Sequence, residues 1–206
     1  MRRLQSFTGN NFTLRRAQVY TLPGKLSFAK DEDLLLIRGL MEATRNYILS
    51  KEVAAKKLKR MAYEIVENNI NEEHIILAGI RESGSVVARN IRKILSGISA
   101  VKTDLITITL DKHLPKDVRL SEKPDFNDKV IIVIDDVANS GKTLLYALKP
   151  FLDYQPKKIQ TLVLVERSHK TFPVHPDYVG LSIATTLQEH IYVEVNDEEV
   201  LGAFLK

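Results

Sequence analysis

The chain has 206 residues, 44% apolar and 27% charged, which is ordinary globular composition and room for one domain with some extra or at most two small ones. It contains no cysteine, so disulfides, thiolate metal sites and a cysteine nucleophile are excluded, and a reducing compartment, cytoplasmic by default, is expected. The net charge of +4 is uneven: residues 1–60 hold 13 Lys/Arg against 5 Asp/Glu and residues 61–206 hold 17 against 21, so a nucleic-acid footprint is to be sought in the N-terminal part.

Residues 1–30 carry six basic residues, no acid, and scattered Phe7, Phe12, Tyr20 and Phe28 without a sustained period. That composition resembles an organellar transit peptide; the plainer reading is an extension loosely packed on the domain. The first residues lack the apolar stretch of a secretory signal, and no segment approaches ~18 continuous apolar residues, so no membrane partner is expected. Residues 34–41 (LLLIRGLM) suit a short helix or a strand. The expected division is a basic, weakly ordered extension over 1–46 and a regular domain over 47–206.

Ser50 is placed to cap a helix over 51–69, where Val53, Leu58, Met61, Ala62, Ile65 and Val66 recur at helical spacing. IILAGI (75–80) is a short apolar strand ending in a glycine-flanked loop, and a helix from near Gly84 puts Val87, Ile91, Ile94 and Leu95 on one face. DLITITL (104–110) is β-branched and strand-like; a polar, proline-containing stretch runs from Asp111 to Asp128. VIIVID (130–135) is continuously apolar before its acid and predicts a strand buried on both faces. Leu144, Leu145, Leu148, Phe151 and Leu152 mark the next helix, and 159–165 and 191–195 give two more strands. This alternation predicts an α/β fold, a central mostly parallel sheet with helices on both faces, in which ligands bind at the carboxyl ends of the strands.

The stretch VIIVIDDVANSGKTL (130–144) defines the chemistry. Asp135 and Asp136 end a central strand, and a loop feeds a helix starting near Gly141. Backbone N–H groups left unpaired at such a start favour a phosphate, Gly141 allows close approach, and Ser140 and Thr143 add hydroxyls. A nucleotide P-loop requires glycine five positions before Gly141, and Asp136 stands there, where a carboxylate would repel a triphosphate. Two carboxylates instead suit the vicinal hydroxyls of a ribose, so the pair and the loop together describe a ribose 5-phosphate.

A hydrophobic strand, Asp-Asp, a few residues and Ser-Gly-Lys-Thr resemble the signature of the type I phosphoribosyltransferases, which bind phosphoribosyl diphosphate (PRPP). The resemblance covers roughly residues 47–200. Within that family the features MAYEIVENN, AGIRESG, DLITITL, VIIVIDDVANSGKT and LVERSHKTFPVHPDYVGLSIATT look like the bifunctional pyrimidine-operon regulators that also act as uracil phosphoribosyltransferases. The resemblance implies the type I phosphoribosyltransferase fold with a small hood region and a homo-oligomer, a dimer or higher. It makes Asn139, Ser140, Gly141, Lys142 and Thr143 the 5-phosphate loop, and Arg81, Glu82, Ser83 and Gly84 the diphosphate loop, with a non-proline cis peptide at Arg81–Glu82. Taken alone, that Gly-x4-Gly loop reads as a turn.

The same resemblance assigns Pro176–Gly180 to base binding, with Tyr178 or Leu181 against the base face and backbone groups around Val179 reading its edge. For Tyr178 a turn into an edge strand is the competing reading. Glu166 and Arg167, at the end of strand 159–165, join the base site: an acid at Glu166 is similar to the pyrimidine regulators, where purine salvage enzymes carry Lys. Asn139 replaces the Asp of those enzymes, and an amide cannot serve as general base at neutral pH. Residues 111–128 look like the mobile loop that closes over the substrates. Mg²⁺ is the implied cofactor, held by diphosphate, ribose hydroxyls and water rather than by a protein cage. None of the five histidines has metal-ligand spacing, and His169 and His175 read as surface loop residues.

Two departures from the regulators stand out. They carry Thr-Arg-Gly where this chain has Glu82-Ser83-Gly84, and Tyr-Arg-Asp-Asp where it has Leu110-Asp111-Lys112-His113. The leading reading is phosphoribosyl transfer from PRPP to a nucleobase, uracil first, with Asp135, Asp136 and Arg81 catalytic. The alternatives are a PRPP- or nucleotide-sensing regulator that binds RNA with little turnover, and purine salvage.

Overall fold

Burial on both faces requires VIIVID to have layers packed above and below its sheet, and in the computed structural model the strand continues to Ala138. The structure describes residues 18–21, 25–28, 45–111, 115–185 and 189–206. It divides into two units, Met1–Arg45 and Asn46–Lys206. In the first, β1 (Gln18–Thr21) pairs antiparallel with β2 (Lys25–Phe28). The readings of residues 34–41 and of weak order over most of 1–44 lie outside the described residues.

In the second unit the elements are β3 (Asn46–Ser50), α1 (Lys51–Asn68), β4 (His74–Ile80), α2 (Ser83–Ile98), β5 (Lys102–Thr109), β6 (Arg119–Leu120), β7 (Val130–Ala138), α3 (Lys142–Ala147), β8 (Lys158–Arg167), β9 (Tyr178–Ile183), β10 (Ile191–Val195) and β11 (Val200–Leu205). Six strands form one sheet in the order β6-β5-β4-β7-β8-β9, parallel throughout except for β6 at the edge. α1 and α2 cover one face, where Met61, Ile65, Val87, Ile91 and Leu95 meet Ile132 and Ile134. Leu144 and Ala147 of α3, with Phe126 and Phe151, cover the other against Ile131 and Val133. A separate antiparallel sheet, β10-β11-β3, supplies the hood.

Ser50 caps α1 as its type predicts, accepting a hydrogen bond from the Val53 amide at 3.3 Å. Val53, read as part of the apolar stripe, is exposed, and Ala54 is buried in its place. The helix expected to run from Gly141 through Leu152 stops at Ala147 and continues only as a 3-10 turn over Lys149–Phe151. Pro150 explains this: it has no N–H for the helical ladder and its ring crowds the preceding turn.

The stretch expected to be a free mobile loop, 111–128, is fastened at its far end. β6 pairs with β5, the Ser121 amide donates to Thr107 O at 2.9 Å, and Phe126 is fully buried. Residues 112–114 lie outside the described residues. Phe126 meets Phe151 and Tyr154 edge-on, each with ring centroids 5.0 Å apart. No described helix is long and apolar enough to cross a membrane.

Phe126→Ala should cost about 3–5 kcal/mol, the usual loss for a buried phenylalanine that leaves a cavity. Urea denaturation checks it, and a loss under 1 kcal/mol, roughly what an exposed side chain gives, would contradict this packing.

Candidate active site

β4 and β7 lie side by side and parallel, with Gly79 opposite Ile134, so the loops after them leave the same end of the sheet. After β4 the chain turns through Arg81 and Glu82 into α2; the Arg81 amide donates to Ile108 O on β5 at 2.9 Å. The Arg81–Glu82 peptide is cis, where the resemblance puts it. After β7, residues 139–141 turn into α3.

Gly84 joins these loops. A β-carbon on it would come within 2.8 Å of Ile134 O and 3.2 Å of Asp135 Oδ1, so the start of α2 packs directly on the strand end that carries the acids. Asp135 is 1% exposed and accepts from the Asp136 amide through Oδ1 at 3.0 Å. Asp136, 9% exposed, lines a cavity of about 420 Å³ together with Ser83 and residues 137–144. Only one of the two predicted acids thus faces the cavity; the other lies beneath it against α2.

The 5-phosphate loop predicted at Asn139–Thr143 lines this cavity along its whole length. Gly141 adopts φ 81°, a left-handed conformation that side chains disfavour by roughly 1–2 kcal/mol. A β-carbon there would also meet the carbonyls of Phe172 and Val174 at 3.2 Å. The conformation and this crossing segment account for the glycine, where close approach of a phosphate was the expectation. α3 has only six residues, so its dipole is small, and the amides at its start are the stronger attraction for an anion.

Arg81, Glu82 and Ser83 line a second cavity of about 440 Å³ with Thr109 and Leu110. Ser83 borders both cavities, so the two predicted anion loops meet at one residue.

The predicted base-binding residues are not brought there. Tyr178 is 1% exposed; burial raises its phenol above the ordinary range, and hydrogen bonds from Asn69 and Gln160 oppose that rise, which marks a neutral core side chain. Val179 gives its carbonyl to Arg60 Nη2 at 2.5 Å, which occupies the open edge of β9. Glu166 pairs with Lys170 at 2.9 Å, and Arg167 donates to Glu189 O at 2.5 Å. None of the four lines the cavity of the phosphate loop; Ile191, Tyr192 and Val193 of the hood do. Tyr192 stacks on Phe204 with centroids 5.5 Å apart, Phe204 meets Tyr47, and Tyr47 donates to Glu194 Oε2 at 2.9 Å. Sequence reasoning had 191–195 as a strand and no signal that it folds over the phosphate loop.

The Phosphoribosyl transferase domain profile matches residues 45–199. The chain belongs to the phosphoribosyltransferase family. Among curated relatives of this phosphoribosyltransferase, the Bifunctional protein PyrR of Clostridium acetobutylicum is 36% identical over 166 residues, covering 74% of this chain and 92% of the relative. The protein of the same name from Limosilactobacillus fermentum is 33% identical over 154 residues, covering 69% and 86%. Among solved structures, the hypoxanthine phosphoribosyltransferase of Trypanosoma cruzi superposes with a TM-score of 0.67 at 14% identity, over 80% of this chain and 97% of that one. A hypoxanthine-guanine phosphoribosyltransferase of Bacillus anthracis gives 0.60 at 21% identity, over 71% and 85%. At those identities the structures establish the type I phosphoribosyltransferase fold.

Asp136 brings a hard carboxylate oxygen to the cavity, the donor type that Mg²⁺ prefers.

Gly141→Ala should lower stability by about 1–2 kcal/mol and weaken ribose 5-phosphate binding in parallel, because the loop must abandon its left-handed turn. Calorimetric titration checks this; unchanged affinity would mean that residues 139–143 do not hold the phosphate.

Proposed function

We propose that this phosphoribosyltransferase transfers the phosphoribosyl group of PRPP to uracil, giving a nucleoside monophosphate and diphosphate. The observation that carries the reading is the cavity in which Asp136, the loop Asn139–Thr143 and the hood strand β10 meet, sharing Ser83 with the neighbouring cavity that Arg81 and Glu82 line. The loop amides and the Ser140 and Thr143 hydroxyls hold the 5-phosphate. Asp136 accepts hydrogen bonds from the ribose diol, and Asp135, fixed against Gly84, holds the strand end and adds negative charge below the ribose. Arg81, Ser83 and Gly84 hold the diphosphate.

In the reaction a ring nitrogen of the base forms a bond to C1 of the ribose as the bond to diphosphate oxygen breaks. The nitrogen gives up its proton to water and diphosphate leaves with the bonding pair. Positive charge grows on the ribose ring during this exchange, and the carboxylates of Asp135 and Asp136 stabilise it from fixed positions. Mg²⁺, arriving with PRPP, would neutralise charge on the diphosphate, and Asp136 would be the protein carboxylate available to it. Glu82 adds a negative charge to the diphosphate loop, so the leaving group relies on Arg81 and the metal.

The base rests on Ile191–Val193, with Asn139 as a polar partner that both donates and accepts. Asn139, an amide that cannot act as general base at neutral pH, counts against a purine acceptor. The relatives are named bifunctional, and RNA binding is the second activity to be measured on the same sample.

We assign this chemistry to residues 46–206. Removing residues 1–45 should leave PRPP affinity within about threefold, under 1 kcal/mol; loss of binding in a folded truncate would contradict the assignment.

Offered PRPP, Mg²⁺ and uracil, orotate, hypoxanthine, guanine or adenine separately, the protein should form UMP. Product from hypoxanthine or guanine alone would make it a purine enzyme, and PRPP binding without any product would favour the RNA-binding regulator. Asp135→Asn with Asp136→Asn should cut turnover at least about a hundredfold. Its urea midpoint should stay close to that of the parent chain; retained turnover would remove the acids from the mechanism.

A further inference from the structure

The segment after β8 bends back beneath the phosphate loop. The amides of Thr171 and Phe172 both donate to Ser140 O, at 3.1 and 2.9 Å, and the carbonyls of Phe172 and Val174 press against Gly141. At the centre of this brace is Lys170. Its side chain is 3% exposed and its ammonium donates to Glu166 Oε2 at 2.9 Å, to Arg167 O, and to Ala138 O at 3.5 Å. Ala138 and Glu166 are register partners at the ends of β7 and β8, so one ammonium fastens two adjacent strand ends. Ala138 immediately precedes the loop.

A buried ammonium is costly unless its three donors are satisfied, and here a carboxylate and two carbonyls satisfy them. The carboxylate has a second consequence. In a poorly solvated position the charge of Lys170 reaches the loop with little screening by water, and Glu166, 17% exposed, opposes it. The ammonium donates to the carbonyl that feeds the loop; the carboxylate lies on the adjacent strand, at the register partner of Ala138.

We propose that Lys170 is a positioning residue for the phosphate loop and that Glu166 sets how much of its positive charge the bound phosphate feels. Lys170 touches no reacting atom; it acts through Ala138 O and through the segment that holds Ser140 O. The pair therefore links the strand end that carries Glu166 to the affinity of the site for phosphate. This deepens the proposed function, and rests on it for the assignment of residues 139–143 as the 5-phosphate loop.

The test is calorimetric titration of ribose 5-phosphate into the full chain, its Glu166→Gln, Lys170→Arg and Lys170→Met variants, and the double variant Lys170→Met with Glu166→Gln. Glutamine still accepts from Lys170 but no longer offsets its charge, so Glu166→Gln should bind ribose 5-phosphate more tightly, by about threefold or more. Lys170→Met should bind at least about tenfold more weakly, because Glu166 is left uncompensated; the double variant should recover part of the loss, and Lys170→Arg most of it. A purely structural brace gives no such reversal of sign. Weaker binding in both Glu166→Gln and Lys170→Met, or no change in either, overturns the proposal. Should Lys170→Met not fold, Glu166→Gln and Lys170→Arg still decide, since tighter binding in the first and retained binding in the second are both required. Failure of the parent chain to bind ribose 5-phosphate would instead overturn the loop assignment, and the proposed function with it.

Discussion

The parallel pairing of β4 with β7 is the constraint on which the rest depends. It sets Gly79 opposite Ile134, so both strands release their chains at one end of the sheet within reach of each other. The two cavities those loops line then share a border at Ser83, and Asp136 of β7 lines one of them. The register holds because both strands are buried on both faces, where every side chain from Ile75 to Ile80 other than glycine is an apolar contact to one of the two cores. A slip of one residue would exchange the faces of a whole strand and carry the acids away from α2.

On this frame the site divides its tasks by burial. Asp135 is buried against Gly84, whereas Asp136 lies at the cavity wall. The hood brings an apolar wall of Ile191–Val193 to the other side. That wall is steadied through its own Tyr192, which stacks on Phe204, which in turn meets Tyr47, with the Tyr47 hydroxyl held by Glu194. A polar floor, anion loops at both ends and an apolar wall suit a phosphorylated sugar joined to a flat base. The structural relatives share this frame at identities that speak to fold alone, whereas the PyrR relatives share about a third of their residues over most of their length.

What the sequence made legible was local. The cap at Ser50, the helical stripe of α2, the buried strand β7 and the loop behind it all rest on contacts among near neighbours in the chain. The hood was harder to see because its pairing is remote: Tyr47 lies opposite Phe204, and both belong to short strands with no period of their own. The place of Ile191–Val193 in the cavity of residues 136–144 was hidden for the same reason, since the fold of β10 over that loop leaves no mark within residues 191–195. Tyr178 misled in the opposite direction. Its motif resembles a ligand site, but the hydroxyl is held by Asn69 in the core and the backbone beside it is closed by Arg60. Pro150 was visible and should have shortened the third helix; the apolar spacing of Leu148 and Phe151 outweighed it, and those two side chains do reach the core through a tighter turn.

The most direct test of the account is a crystal structure of the protein with PRPP and Mg²⁺. The account predicts the 5-phosphate against the amides of residues 139–143, the ribose hydroxyls at Asp136, and the diphosphate beside Arg81 and Ser83. A 5-phosphate in the loop of residues 81–84, or a ribose turned away from Asp136, would contradict it.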